Sequence, residues 1–237
     1  MRRILASLTL AGFLLAGGAC AAAQPASSLA AVDDLLVSAD EQIGEVTDPA
    51  DLVDDLHADP AADDAAGRNA VGKNTVGKNA AGRNAPAKSV AERVDRRLAA
   101  LKRFDANLDK AKHLQPAHHE TLTKLIADQT KGLTALRDQT GKDAARSVVV
   151  DYRVFVLTGP KVRLSVAIDT ELAAVAKLRD RKNIDQATLD GVEKSLTGQV
   201  DTLLALRPGP DAKAIRSSLE PIRAAAKQAR TTLKSLR

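Results

Sequence analysis

The chain has 237 residues, a formal net charge of +5 and 2% aromatic residues, with no Trp and a single Cys. This length allows one domain with a sizeable core plus additional segments, and a lone cysteine excludes an intramolecular disulfide. The scarcity of aromatic side chains argues against modules that stack nucleobases on exposed rings, so we expect no nucleic-acid partner.

The first residues have the layout of a secretory signal peptide. Arg2 and Arg3 form a short positive region, an uncharged apolar stretch covers residues 4–16, and small residues continue to Ala23. The apolar stretch is shorter than the roughly 20 residues that a membrane-spanning helix needs. We therefore predict that residues 1–23 are a signal peptide. The mature chain is then exported to the cell envelope or secreted, without a transmembrane helix.

Two cleavage positions remain open. Cys20 directly follows the apolar core and resembles the cysteine of the lipobox of bacterial lipoproteins, which becomes the lipidated first residue. The lipobox usually has Leu three residues before the cysteine, whereas this chain has Gly17. Ordinary cleavage after residues 21–23 also fits the small-x-small rule. Cys20 is thus a candidate lipidation site, and a lipid anchor there is the only membrane contact that we expect.

Charge is segregated along the rest of the chain. Residues 21–66 contain twelve Asp or Glu and no Lys or Arg, whereas residues 67–88 contain five Lys or Arg and no acid. We divide the mature chain into an acidic arm (24–66), a basic linker (67–88) and a helical domain (89–237). Apolar residues of the arm recur at helical spacing between Ser28 and Val46. Because short isolated helices are marginal, we expect a loosely helical or disordered arm.

The basic linker is a four-fold repeat of five residues, each reading small-Gly-base-Asn-small, with bases at Arg68, Lys73, Lys78 and Arg83. Gly and Asn favour turns, and a tract without large apolar residues cannot bury a core, so we predict a flexible cationic linker. One interpretation is a solubilising spacer. The other is adhesion of these cations to an anionic envelope polymer or lipid surface, with about 1 kcal/mol from each base, screened by salt.

Amphipathic helices are predicted from Ser89 onwards, where Ser89 and Glu92 have the spacing of a capping box. The expected helices cover residues 89–114, 116–141, 142–157 with continuation past a break at Gly159–Pro160 to 182, and 186–206. The last helix carries an apolar stripe in steps of three and four. Its members are Ile215, Leu219, Ile222, Ala226, Ala229, Leu233 and Leu236.

The run Val148–Leu157 is rich in β-branched residues, and local propensity alone favours a strand. The sequence offers no second such run to pair with, and one strand cannot make a sheet. We therefore interpret it as a buried helix. Together the segments predict an all-α fold, an antiparallel bundle of four to five helices preceded by the arm.

Four stretches of the chain carry a family resemblance. The residues Asp151–Leu157, followed by Pro160–Leu164, together with the runs Arg97–Leu101 and Leu133–Arg137, resemble segments of actinobacterial exported helical-bundle proteins. The resemblance covers about residues 91–178. It implies an all-helical fold and export, and it implies no activity and no site residues.

One cluster has ligand potential: His113, His118, His119 and Glu120 lie around the junction of the first two helices. Neighbouring residues on a helix point about 100° apart, so His118 and His119 cannot easily face one metal ion. The spacing matches no zinc motif. A solvated helix corner is therefore the simpler interpretation, and we assign no metal ligand.

Asp151, Tyr152 and Arg153 could line a pocket, although a buried ion pair or a hydrogen-bonded Tyr inside the bundle is the commoner arrangement. The sequence has no nucleophile elbow, and its Gly-Lys-Asn units lack the spacing of a phosphate loop. We assign no catalytic residue and no cofactor. The sequence favours an exported, non-enzymatic protein that binds or scaffolds, with an anionic envelope polymer or a protein as partner. The alternative is a bundle that binds a small molecule or metal.

Overall fold

The computed structural model describes Val32, Leu35 and Ser89–Leu236; the proposed signal peptide, the basic linker and the rest of the acidic arm lie outside these residues. Residues 89–236 form helices and connecting turns, with no strand among them, which confirms the all-α bundle. The elements are α1 (Val90–Leu108), α2 (Pro116–Leu136), α3 (Lys142–Val150), a π-helical turn (Val154–Thr158), α4 (Gly159–Arg179), α5 (Gln186–Leu196), α6 (Gln199–Ala205) and α7 (Ala212–Ser235).

The two helix starts read from the sequence are confirmed. Ser89 N donates to the Glu92 carboxylate at 2.8 Å, and Glu92 N donates to Ser89 Oγ at 3.2 Å, so the capping box is complete. Pro116 occupies the first position of α2, where a residue without an N–H loses no helical hydrogen bond. These local signals therefore fix where α1 and α2 begin.

Two apolar clusters meet on α4. The first, the α1–α3 core, joins α1, α2 and α3 to one side of α4 through residues such as Val162 and Val166. The second, the α5–α7 core, joins α5, α6 and α7 to the other side through residues such as Leu164 and Ile168. Because residues 164–171 of α4 are all buried, α4 is the central helix of the bundle. Among the helices of residues 89–236, none has the length and apolarity needed to cross a membrane.

The end that the sequence predicted for the helix over residues 142–157 is wrong. Its backbone is helical rather than extended, as expected, but α3 ends at Val150 and the chain turns over Asp151–Arg153. Arg153 has a φ of 37°, in the left-handed region. The predicted break at Gly159–Pro160 is instead the first turn of α4, where proline is tolerated.

The predicted helix over residues 186–206 is also divided. Gly198 has a φ of 75°, which glycine adopts without steric cost, and it separates α5 from α6. The last helix follows the predicted stripe: the apolar residues from Ile215 to Leu233 on that face are buried, and Leu236 packs against them in part. The seven-residue repeat was thus sufficient to place α7 against the core.

Candidate functional site

Among the described residues, the polar side chains of His118 and Asp169 form the best candidate for a functional site. His118 lies in the first turn of α2, and its Nδ1 is 2.8 Å from Asp169 Oδ2, so that the ring N–H donates to the carboxylate. Asp169 projects from the middle of α4 and its side chain is fully buried. The pair therefore connects the start of α2 to the central helix.

Asp169 is engaged by a second residue as well. Gln115 N donates to Asp169 Oδ2 at 2.8 Å, and Gln115 Nε2 donates to Oδ1 at 3.2 Å. Gln115 is the N-cap position of α2, and its own side chain makes no capping bond. A carboxylate that accepts a backbone N–H there satisfies a donor near the helix start and opposes the positive end of its dipole. Asp169 therefore acts as a cap for α2 supplied by another helix.

A cleft of about 380 Å³ opens beside this pair. Its other wall comes from the junction of α5 and α6, where Asp201 Oδ1 lies 3.7 Å from His118 Nε2. The lining residues carry three carboxylates and one imidazole, with no Lys or Arg. They are Gln115, His118, Asp169, Leu172, Glu193, Leu196, Thr197, Gly198, Val200 and Asp201. An acid-lined cleft in a basic domain favours a cationic ligand over an anionic one.

The carboxylates of the cleft differ in how available they are. Asp201 is largely exposed, with 82% of its side chain accessible, whereas Asp169 is enclosed by its three donors. Glu193 forms an ion pair with Arg179, whose guanidinium also donates to Asp190 at 2.6 Å. Asp201 is thus the carboxylate best placed to meet a ligand, beside His118.

The cluster proposed from the sequence does not converge. His118 turns towards α4, while His119 is half-buried and Glu120 is exposed on the same helix turn. Burial lowers the pKa of His113, with a further contribution from the positive charges of Lys177 and Lys112. Within residues 89–236, no three His, Cys, Asp or Glu side chains are arranged to hold a metal ion.

The triplet at residues 151–153 does not line a common pocket either. The Asp151 carboxylate accepts a hydrogen bond from Ser147 and borders a separate depression of about 280 Å³. The Tyr152 ring packs against Gly132, and burial raises the pKa of its hydroxyl, with Asp151 adding to the effect. Arg153 is fully buried and donates from Nε to Gly209 O at 2.8 Å and from Nη2 to Pro210 O.

A second buried cation, Lys161, contacts the same part of the chain as Arg153, namely the end of α6 and the segment that leads to α7. Lys161 Nζ donates to the carbonyls of Leu204 at 2.9 Å and Leu206 at 2.6 Å. Burial, together with the nearby charge of Arg207, lowers the pKa of Lys161 to about 8. The two cations therefore hold the end of α6 and the segment between α6 and α7 against the stretch that runs from Arg153 to the start of α4.

Sequence reasoning placed His118 in a cluster but missed its partners Asp169 and Asp201. The signal for Asp169 was present: an acid between Ile168 and Thr170, in a segment whose neighbours are apolar, requires donors when it is buried. The candidate lipidation site Cys20 and the four linker cations lie outside the described residues.

No protein-family model matches the chain, and neither a curated protein nor a solved structure matches it. The resemblance to actinobacterial exported bundle proteins therefore stays a prediction.

Proposed function

We propose that this chain is an exported, non-enzymatic binding protein of the cell envelope or the medium, whose basic linker contacts an anionic polymer while the bundle provides a stable folded body. The observation that carries the proposal is the linker's repeat, which places one base in every five residues and contains no acid. Such a tract attracts polyanions along its length, because each base adds a weak and salt-screened attraction.

Contacts between helices account for the buried polar groups of the bundle, so we propose no catalytic role for them. Asp169, Arg153 and Lys161 are each enclosed and hydrogen-bonded to groups that connect one helix to another. Groups committed in this way stabilise the arrangement of helices, since breaking such a contact leaves a buried charge without compensation. They are correspondingly unsuited to meet a substrate.

The test is retention of the purified mature protein on cell-wall preparations rich in anionic polymer, measured as the NaCl concentration is raised. The linker variant replaces Arg68, Lys73, Lys78 and Arg83 with Gln. A matched control removes four cations that are exposed on α1 and α2 and in the turn between them, replacing Lys102, Lys110, Lys124 and Lys131 with Gln.

Wild type and control should bind at low salt and elute as NaCl rises, whereas the linker variant should elute at markedly lower salt. Equal elution of the two variants would refute a specific role for the linker. Failure of the wild type to bind at low salt would refute polymer adhesion altogether.

A second candidate function is supported by the acid-lined cleft beside His118. Its volume of about 380 Å³ falls within the usual size of small-molecule sites, and Asp201 faces it with an exposed carboxylate. The chemistry suits a small organic cation such as a polyamine. Calorimetric titration with spermidine should give binding that Asp201→Asn weakens and that Asp138→Asn, an exposed acid between α2 and α3, leaves unchanged. Absence of heat with the wild type would exclude this candidate.

A further inference from the structure

Two residues of the acidic arm are part of the folded core. Val32 has 0% and Leu35 has 5% of its surface exposed, and both are helical. They are three positions apart and so lie on one face of a helix. Both belong to the α5–α7 core, together with residues of α4, α5, α6 and α7. Two residues of the apolar pattern noted between Ser28 and Val46 therefore contact the bundle.

Charge complements this apolar contact. Asp33 and Asp34 lie between the two buried residues, in an arm that contains no Lys or Arg. The α5–α7 core is formed in part by α7, which carries six bases and one acid, Glu220. The bases are Lys213, Arg216, Arg223, Lys227, Arg230 and Lys234. An acidic segment is attracted to such a helix, and the attraction favours docking in the correct place.

We propose that Val32 and Leu35 dock the acidic arm on the bundle, so that residues 36–88 connect two points of the same folded body and are, in their connectivity, a closed loop rather than a spacer. Both ends of this loop, Leu35 and Ser89, belong to the same folded body. The linker therefore does not set the distance between the mature N-terminus and the bundle.

This topology changes how the basic repeat acts. A spacer would hold the bundle away from an N-terminal anchor, whereas a stretch that is attached to the bundle at both ends keeps its cations tethered to the bundle, whatever anchors the chain. The entropic cost of closing a loop grows only with the logarithm of its length. Changing the number of five-residue repeats should therefore leave the docked segment in place and alter only the reach of the loop.

The first test asks whether the segment stays bound when the loop is cut. A recognition site for a sequence-specific protease is inserted between Ala66 and Gly67 of the full mature chain, and the folded protein is cleaved and passed over a gel-filtration column. The fragment before the cut should elute with the bundle. In Val32→Asp/Leu35→Asp it should separate, because two buried charges without partners oppose docking.

A milder pair, Val32→Ala/Leu35→Ala, should give partial separation of the fragment. Circular dichroism should show that the uncut variant has the same helix content as the wild type, which distinguishes loss of docking from global unfolding. Asp33→Asn/Asp34→Asn should retain the fragment in high salt, where the apolar contact dominates. Separation of the wild-type fragment, or its retention in Val32→Asp/Leu35→Asp, would overturn the proposal.

The second test measures the loop topology directly. Donor and acceptor dyes are placed at Ser28→Cys and at Thr231→Cys, an exposed position on α7, and energy transfer is compared with and without residues 67–88. The closed loop predicts unchanged transfer efficiency after the deletion. A clear change in efficiency would show that the linker separates the arm from the bundle, and would overturn the proposal while leaving polymer adhesion by the linker untouched.

Discussion

Replacing Lys161 with Met should change how the stability of the bundle depends on pH. Lys161 is almost fully buried at the start of α4 and donates to the carbonyls of Leu204 and Leu206. Burial, reinforced by Arg207, lowers its pKa from 10.5 to about 8. Keeping the ammonium charged inside the fold therefore costs free energy that the unfolded chain does not lose.

The sign and size of this effect on the free energy of unfolding follow from the number of protons that the folded and unfolded chains bind. Between pH 8 and 10.5 the unfolded chain keeps the Lys161 proton while the folded protein releases it, so stability rises with pH across this window. The gain in stability from releasing this proton is complete above pH 10.5 and is lost as the pH falls through 8. Each pH unit is worth about 1.4 kcal/mol, so the full change is on the order of 3 kcal/mol.

The assay is guanidinium unfolding followed by far-ultraviolet circular dichroism at several pH values between 7 and 10.5. The free energy of unfolding of the wild type minus that of Lys161→Met should increase with pH, because other titrating groups cancel in the difference. Lys102→Met, at an exposed position on α1, serves as the control and should give a flat difference. A flat or falling difference for Lys161→Met would refute the assignment of Lys161 as a buried cation whose pKa is lowered in the folded protein.

Three further substitutions test the packing and the caps. Gly132→Ala places a Cβ 2.1 Å from Tyr152 Oη and should destabilise the protein, whereas in a Tyr152→Ala background it should stabilise by up to about 1 kcal/mol. The same gain is expected for Gly191→Ala, where no atom lies within 4 Å of the added Cβ. Thermal melts of these variants provide the measurement, and equal effects of Gly132→Ala in both backgrounds would contradict the contact. Asp169→Asn should cost about 3 kcal/mol in chemical denaturation, because the buried amide meets three donors, and a loss below about 0.5 kcal/mol would remove its capping role. Ser89→Ala should cost about 1 kcal/mol by loss of the capping box, and unchanged stability would show that α1 begins independently of it.

The parts of the fold that the sequence predicts are those governed by neighbours along the chain. The capping box at Ser89, the proline at the start of α2 and the stripe of α7 each depend on residues within a few positions. The Val148–Leu157 run required a non-local argument, the lack of a partner strand, and this argument gave the correct backbone class.

The parts that the sequence missed depend on partners distant in the chain. Arg153 adopts its left-handed conformation where its guanidinium reaches the carbonyls of Gly209 and Pro210. Asp169 acquires its role from Gln115 and His118, more than fifty positions earlier. The spacing of neighbouring residues does not indicate such distant pairs. His118 could therefore be identified as a candidate from the sequence, but its carboxylate partners could not.

The acidic arm shows a different limit of local reasoning. Short isolated helices are marginal in water, which led to the expectation of a loose arm. The burial of Val32 and Leu35 in the α5–α7 core shows that these two residues are docked. Tertiary packing supplies the stabilisation that helix propensity alone lacks, and the opposite charges of the arm and α7 favour the same contact.

The central claim, an exported binding protein rather than an intracellular one, is tested most directly by the intact mass of the mature chain purified from its native cells. We expect a product that begins either at Cys20 with a lipid attached or just after Ala23, recovered from the envelope or the medium. A product that retains Met1 and stays in the cytoplasm would contradict it.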